Sequence, residues 1–270
     1  MGKSNLKYVF ALLVLVSTGL VVGCQTVSNS PLKKPNPEKA VHVRTQLAAE
    51  YIRHGEFDTA KRELDTALRI DPRDAHANMM MGILLQNEGS QTNVAKAERY
   101  FKIAVSADPK NAQIRNNYGT YLYQTDRYND ALEQFEIAGS TLGYDQRYTA
   151  LENKGRTYAK LGDLNNAEIA FEQALRVNRS AYVSMIELAE INYLRNSIPA
   201  ATKLYQQAVN LVGEKNLNAR ALWVGIRLAR ANRNPLEMQV LVNQLRALYP
   251  DSLEYQRYLQ LQYSTEVVWK

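Results

Sequence analysis

Cysteine is almost missing from this chain: Cys24 is the only one in 270 residues, which rules out an intramolecular disulfide. Histidine is nearly as rare. His42, His54 and His76 have no cysteine beside them and no H-x3-H spacing, so the expectation for metal is none. Gly82 and Gly89 are not followed by G-K-[ST], which removes a phosphate loop, and there is no G-x-S-x-G elbow. Carboxylate pairs such as Glu187 and Glu190 read as charged helix faces. With no catalytic constellation left, the expectation is a chain that is not an enzyme and needs no cofactor. The formal charge is +6, but the basic residues are scattered and form no stripe, so nucleic acid is not an expected partner. Long apolar runs are also lacking. The longest, from Tyr8 to Gly23, covers 16 residues, short of the roughly 20 that a membrane-spanning helix requires.

What the chain does have is a pattern of small residues. Ala48, Ala60, Leu64 and Ala67 recur as Gly82, Ala97, Phe101 and Ala104, then as Gly119, Ala131, Phe135 and Ala138. Two more sets follow: Gly155, Ala167, Phe171 and Ala174, then Ala189, Ala201, Tyr205 and Ala208. From set to set the second residue advances by 37, 34, 36 and 34 positions. The spacing A-x3-[FYL]-x2-A puts its members on one side of a helix. Small residues let two backbones approach, and the larger side chain fills the space between them. Period and pattern resemble the tetratricopeptide repeat, a pair of antiparallel helices that stacks on its neighbours because one pair cannot bury its apolar face alone.

The resemblance implies an all-α superhelix of about six helix-turn-helix units over 40–262, sharing one elongated core. The units are expected near 41–72, 75–109, 112–143, 148–179, 182–213 and 218–250, with a cap helix over 252–262 and a tail over 263–270. Pro72 and Pro109 stand just beyond second helices, where proline ends a helix without disturbing its interior. The second unit is three residues longer between its helices. Its Gly/Ser/Asn/Gln-rich stretch 87–93 reads as an enlarged loop. Gly143 stands near two extra residues between units three and four. The sixth unit keeps only Leu222, Gly225 and Leu241 as clear anchors, as a terminal repeat with one unpartnered face would.

The N-terminus reads as an address. Lys3 and Lys7 precede the unbroken apolar run Tyr8–Val16, in the manner of a secretory signal peptide. The ending Leu20-Val21-Val22-Gly23-Cys24 resembles a bacterial lipobox. That resemblance implies removal of residues 1–23 and acylation of Cys24, the single lipidation site and the only covalent group expected. Several acyl chains, at ~0.8 kcal/mol per buried methylene, suffice for stable anchoring. Gln25 in place of aspartate favours the outer membrane under enterobacterial sorting rules, with the protein on its periplasmic face. Residues 24–39 then form a tether in which Pro31, Pro35 and Pro37 favour extension, reaching up to ~40 Å. Losing Lys3 and Lys7 and no acids leaves a mature charge of +4.

In tetratricopeptide arrays the first helices line a concave surface that takes protein partners. Carried onto this chain, the surface includes Ile52, Met79, Ile83, Asn116 and Tyr123, and an apolar groove for a helix or extended peptide is expected among them. A clamp for acidic C-terminal peptides would need lysine, asparagine and asparagine where Met79, Ile83 and Asn117 stand, so it is not expected. Lipobox, proline-bearing tether and six units together resemble the pilotins, the lipoproteins of type IV pilus biogenesis. Three stretches carry the likeness: VRTQLAAEYIRHG at 43–55, NNYGTYL at 116–122, and ALWVGIRLAR at 221–230 with Trp223. The family implies a non-enzymatic outer-membrane factor that binds the pilus secretin and promotes its localisation and multimerisation; the chain itself is expected to be a monomer. A lipoprotein scaffold for β-barrel assembly or peptidoglycan enzymes shares the architecture and stands as the alternative.

Overall fold

The computed structural model describes residues 36–264 and Trp269. The described residues from 38 onward form one compact unit. The signal peptide, Cys24 and the tether to residue 35 lie outside the described residues. Among the described residues there are 13 α-helices and no strand. Six pairs follow one another: α1 (Pro37–Arg53) with α2 (Phe57–Ile70), α3 (Ala75–Glu88) with α4 (Gln91–Ala107), and α5 (Ala112–Gln124) with α6 (Tyr128–Ser140). Then come α7 (Arg147–Lys160) with α8 (Leu164–Val177), α9 (Tyr182–Leu194) with α10 (Ile198–Val212), and α11 (Ala219–Ala231) with α12 (Pro235–Leu248). A last helix, α13 (Leu253–Leu261), lies against α11 and α12. The first helix therefore opens on Pro37, inside the stretch read as tether; proline at the first helical position gives up an N–H that has no intrahelical partner anyway.

The turn inside each pair has one recurring shape. Gly55, Gly89, Asp126, Gly162, Asn196 and Arg233 all have positive φ, between 55° and 76° or at 80° for Gly162. Each follows a first helix closely and reverses the chain. In five of the six the next residue's N–H donates back into the last turn, as in Asp163 N to Tyr158 O at 2.9 Å and Asn234 N to Ala229 O at 2.9 Å. Carbonyls at the helix end that would otherwise be orphaned are thereby satisfied. Helix starts are set by side-chain caps: Asp74 accepts from Ala77 N, Asn218 from Ala221 N, and Ser252 from Tyr255 N.

Packing between paired helices follows from the small residues. A methyl group added at Gly82, Gly119 or Gly155 would stand 2.9, 2.7 or 2.7 Å from the ring of Phe101, Phe135 or Phe171. The rings lie in the space that a side chain on the first helix would take, and all three are buried. Each contributes on the order of 1.5–3 kcal/mol through burial.

Three expectations are corrected. The stretch 87–93 is not an enlarged loop: only Gly89 and Ser90 separate α3 from α4. The extra residues lengthen α4, which begins at Gln91 because Ser90 caps it through Asn93 N. Second, the apolar core is not one continuous body. One cluster joins the first three pairs from Val41 to Phe135, a second joins the last two pairs and Trp269, and a small one holds Phe171, Leu188 and Ile191. Between the third and fourth pairs only Ala112, Ala138 and Ala150 form a buried cluster. The reason is composition: Asn116, Gln134, Glu152 and Thr157 are buried in that part of the stack, and Gly139 lets Leu151 approach closely. Third, the stretch read as a tail contains Trp269, whose side chain is fully buried.

Candidate functional site: the face of the first helices

Consecutive first helices lie side by side and are joined by polar side chains. Between α3 and α5, Gln86 donates to Gln124, and Asn117 Nδ2 reaches Met79 Sδ at 3.5 Å. Between α5 and α7, Asn153 Nδ2 donates to Asn116 Oδ1 at 3.1 Å. Between α7 and α9, Glu152 Oε1 accepts from Ser184 N at 3.1 Å and from Ser184 Oγ at 3.0 Å. Between α9 and α11, Arg220 Nη2 meets Glu187 Oε2 at 2.9 Å, and Arg227 pairs with Glu190. The successive partners are 32 to 38 residues apart, one repeat length, so the contacts recur as a ladder along the stack. Burial pushes the Glu152 carboxyl up, and the two bonds from Ser184 offset only part of that.

This arrangement reassigns the residues read from sequence as a partner groove. Met79 is 2 % exposed and belongs to the core, as does Ile52, so neither offers an open surface. Asn116 is buried and holds Asn153. Ile83 and Tyr123 remain half-buried and pack on the edge of the same cluster. The expected apolar groove is thus mostly used to join neighbouring helices. What stays accessible is mixed: Ile83 and Tyr123 among Gln86, Gln124, Thr120 and Arg156. The physical cause is helix spacing. Residues of one first helix that were read as facing a partner face the next first helix instead. Asn117, the one match to an acidic-peptide clamp, bonds Met79 and the Gln113 carbonyl, which leaves no clamp at this place.

Tyr123 lines a recess on this face. With Thr120, Gln124, Phe135, Asn153 and Arg156 it surrounds a hollow of about 160 Å³. Its ring meets Tyr128 edge-on at 5.5 Å, and burial pushes its phenol up. Arg156 supplies a cation at the rim and Asn153 a fixed amide. Such a hollow suits one side chain of a bound segment, with polar groups to hold the adjoining backbone. Among the described residues no group of three or more His, Cys, Asp or Glu could hold a metal ion. His42, His54 and His76 are all exposed.

The far end of the face is built differently. Arg227 is 2 % exposed, and its guanidinium lies 4.3 Å from the Tyr193 ring centre and 5.6 Å from that of Trp223. A cation so buried is held by its pairing with Glu190 and by the aromatic faces. Trp223, read from sequence as a family mark, stacks on Trp269 with ring centres 5.5 Å apart. Sequence reading missed Trp269 because a lone tryptophan after the last helix has no periodicity to assign it a face. The polar ladder was missed for a different reason: Asn, Gln and Glu at these places look like solvated helix surface until a neighbouring helix is laid beside them.

Models of the tetratricopeptide repeat match residues 86–139 and 148–180. The type IV pilus assembly protein PilF of Pseudomonas aeruginosa is 32 % identical over 250 residues, which cover 92 % of this chain and 96 % of that one. A solved structure of Pseudomonas aeruginosa PilF superposes with a TM-score of 0.73 at 31 % identity, covering 83 % of this chain and 98 % of that one. A second, of PilW, a widely conserved type IV pilus biogenesis factor, gives a TM-score of 0.70 at 28 % identity and covers 82 % and 99 %. With this likeness over 92 % of this chain and 96 % of PilF, and with the same stacked helix pairs, this protein belongs to the PilF family of tetratricopeptide-repeat type IV pilus assembly proteins.

Proposed function

We infer that the protein is a lipid-anchored factor of type IV pilus biogenesis that carries the pilus secretin to the outer membrane and promotes its multimerisation. The reading is supported above all by likeness to PilF over 92 % of this chain and 96 % of that one. Cys24 bears the acyl chains, and the following residues tether the repeats on the periplasmic side. The face of the first helices takes the partner, with Ile83, Tyr123 and the hollow beside Arg156 as its accessible part. Tetratricopeptide repeats act through such faces as scaffolds.

Complementation of a deletion strain separates anchor from face. Cys24→Ser should leave the repeats folded but lose outer-membrane secretin multimers. Ile83→Ser with Tyr123→Ser should keep the lipid and weaken secretin capture, with helical content checked by circular dichroism. Full multimer levels with the folded double variant would remove those two residues from the site. Full levels with Cys24→Ser would remove the lipid from the mechanism.

A further inference from the structure

The hollow beside Tyr123 stands at the junction where the apolar core is interrupted. Its lining comes from three helices: Thr120, Tyr123 and Gln124 from α5, Phe135 from α6, and Asn153 and Arg156 from α7. It therefore bridges the third and fourth pairs, between which only Ala112, Ala138 and Ala150 form a buried cluster. Phe135 is 1 % exposed, and its ring is fixed against Gly119, where an added methyl would stand 2.7 Å away. Tyr123 is held edge-on to Tyr128. The polar members are held as well. Thr120 Oγ1 donates to the Asn116 carbonyl at 2.9 Å, Asn153 Nδ2 donates to Asn116 Oδ1 at 3.1 Å, and Gln124 accepts from Gln86. The walls are thus set before anything enters, which leaves little ordering for an occupant to impose.

Size and lining select that occupant. The volume of about 160 Å³ is close to the ~150 Å³ of an engineered apolar cavity that holds benzene, so one six-membered ring fits and a second does not. Two aromatic rings in the lining favour a third, stacked or edge-on. Arg156 stands half-buried at the rim, near enough for its charge to act on the Tyr123 phenol. A guanidinium within about 6 Å of a ring centre attracts the ring's face, an attraction that an aliphatic side chain does not share. We propose that the hollow takes a single phenyl or phenol ring from a partner segment, and that the ring, once seated, joins the third and fourth pairs by filling the gap between them. This rests on the reading that the face of the first helices takes a protein partner, and it names the side chain that anchors that partner.

The probes are N-acetyl-phenylalanine amide and N-acetyl-leucine amide, titrated into the full chain and followed through the NMR signals of Thr120 and Asn153, with Leu236 on α12 as a distant control. The phenylalanine probe should shift Thr120 and Asn153 saturably, leave Leu236 unmoved, and bind at least about tenfold more tightly than the leucine probe. At ten times its Kd it should slow hydrogen exchange in α7 by about tenfold, the factor expected when opening α7 requires the site to empty. Thr120→Leu, which fills the hollow, should abolish the Asn153 shift. If that variant loses its helical signal, Arg156→Gln carries the test instead, by reducing the preference for the aromatic probe. No saturable shift at Thr120 and Asn153, or equal affinity for the two probes, would overturn the aromatic occupant. Binding that leaves α7 exchange unchanged would overturn the joint between the pairs. Failure here is distinct from failure of the proposed function. A chain that supports secretin multimers but ignores both probes overturns the pocket alone. Probe binding as predicted, in a protein whose deletion leaves multimers at normal level, overturns the proposed function alone.

Discussion

Gly82, Gly119 and Gly155 each face a phenylalanine on the second helix of their own pair, whereas Ala48 is paired with Leu64. The two positions behave as one unit of volume. Gly155→Ala should cost about 1–3 kcal/mol, because its methyl would meet the Phe171 ring in a close-packed site. In a Phe171→Leu background the same glycine change should cost far less, because that background reproduces the Ala48–Leu64 arrangement. Denaturant midpoints of the four proteins in this cycle test it, and an unchanged cost in both backgrounds would contradict the coupling. Arg233 offers the opposite lever. It holds a left-handed φ of 55° where the equivalent turns use Gly55, Gly89 and Gly162. Arg233→Gly should raise stability by about 0.5–1 kcal/mol, read as a higher midpoint with unchanged slope. These volumes were legible in sequence because the repeat presents them several times over. Arg233 was not, since nothing in arginine marks a left-handed turn.

Helix-to-helix contacts in the middle of the stack are polar, and one of them makes a pH-dependent contribution. Burial holds the Glu152 carboxyl above its ordinary value, so the folded chain binds that proton more tightly than the unfolded chain does. The sign follows: the contribution is most favourable below the unfolded value, near 4.3, and is lost as pH rises through the folded one. Glu152→Gln keeps an oxygen for both Ser184 donors and carries no charge. It should therefore be more stable than the unchanged chain at about pH 8 and lose that advantage towards about pH 4. Denaturation at both values checks this, and a gain that is the same at both would show that ionisation of Glu152 is not the cause. The second pair's longer helix belongs to this scale as well. Counting residues located the insertion, but Gly89 and Ser90 favoured a loop reading when they in fact end one helix and cap the next. A capping pair and a loop use the same residue types, so composition alone did not separate them.

Across the whole molecule the apolar core is divided where the third pair meets the fourth, and stability should be divided there too. Native-state hydrogen exchange should show two groups of amides, one in α1–α6 and one in α9–α13, opening with different free energies. The intervening α7 should exchange ahead of its neighbours. A single exchange free energy throughout would mean that the polar ladder couples the halves as firmly as a shared apolar core. Repeat number, helix order and the cap helix followed from the resemblance to the tetratricopeptide repeat. The division did not, because Asn116, Glu152 and Asn153 reveal their burial only when their partners one repeat away are known. Of the residues expected on the partner face, Met79 and Ile52 belong to the core, because the sequence does not show how closely the next first helix is laid beside them. The most direct test of the account is to delete the gene, separate inner and outer membranes, and probe unheated samples for the pilus secretin. Secretin found only as monomer, or stranded in the inner membrane, is the predicted result. Secretin multimers at normal level in the outer membrane would contradict the account.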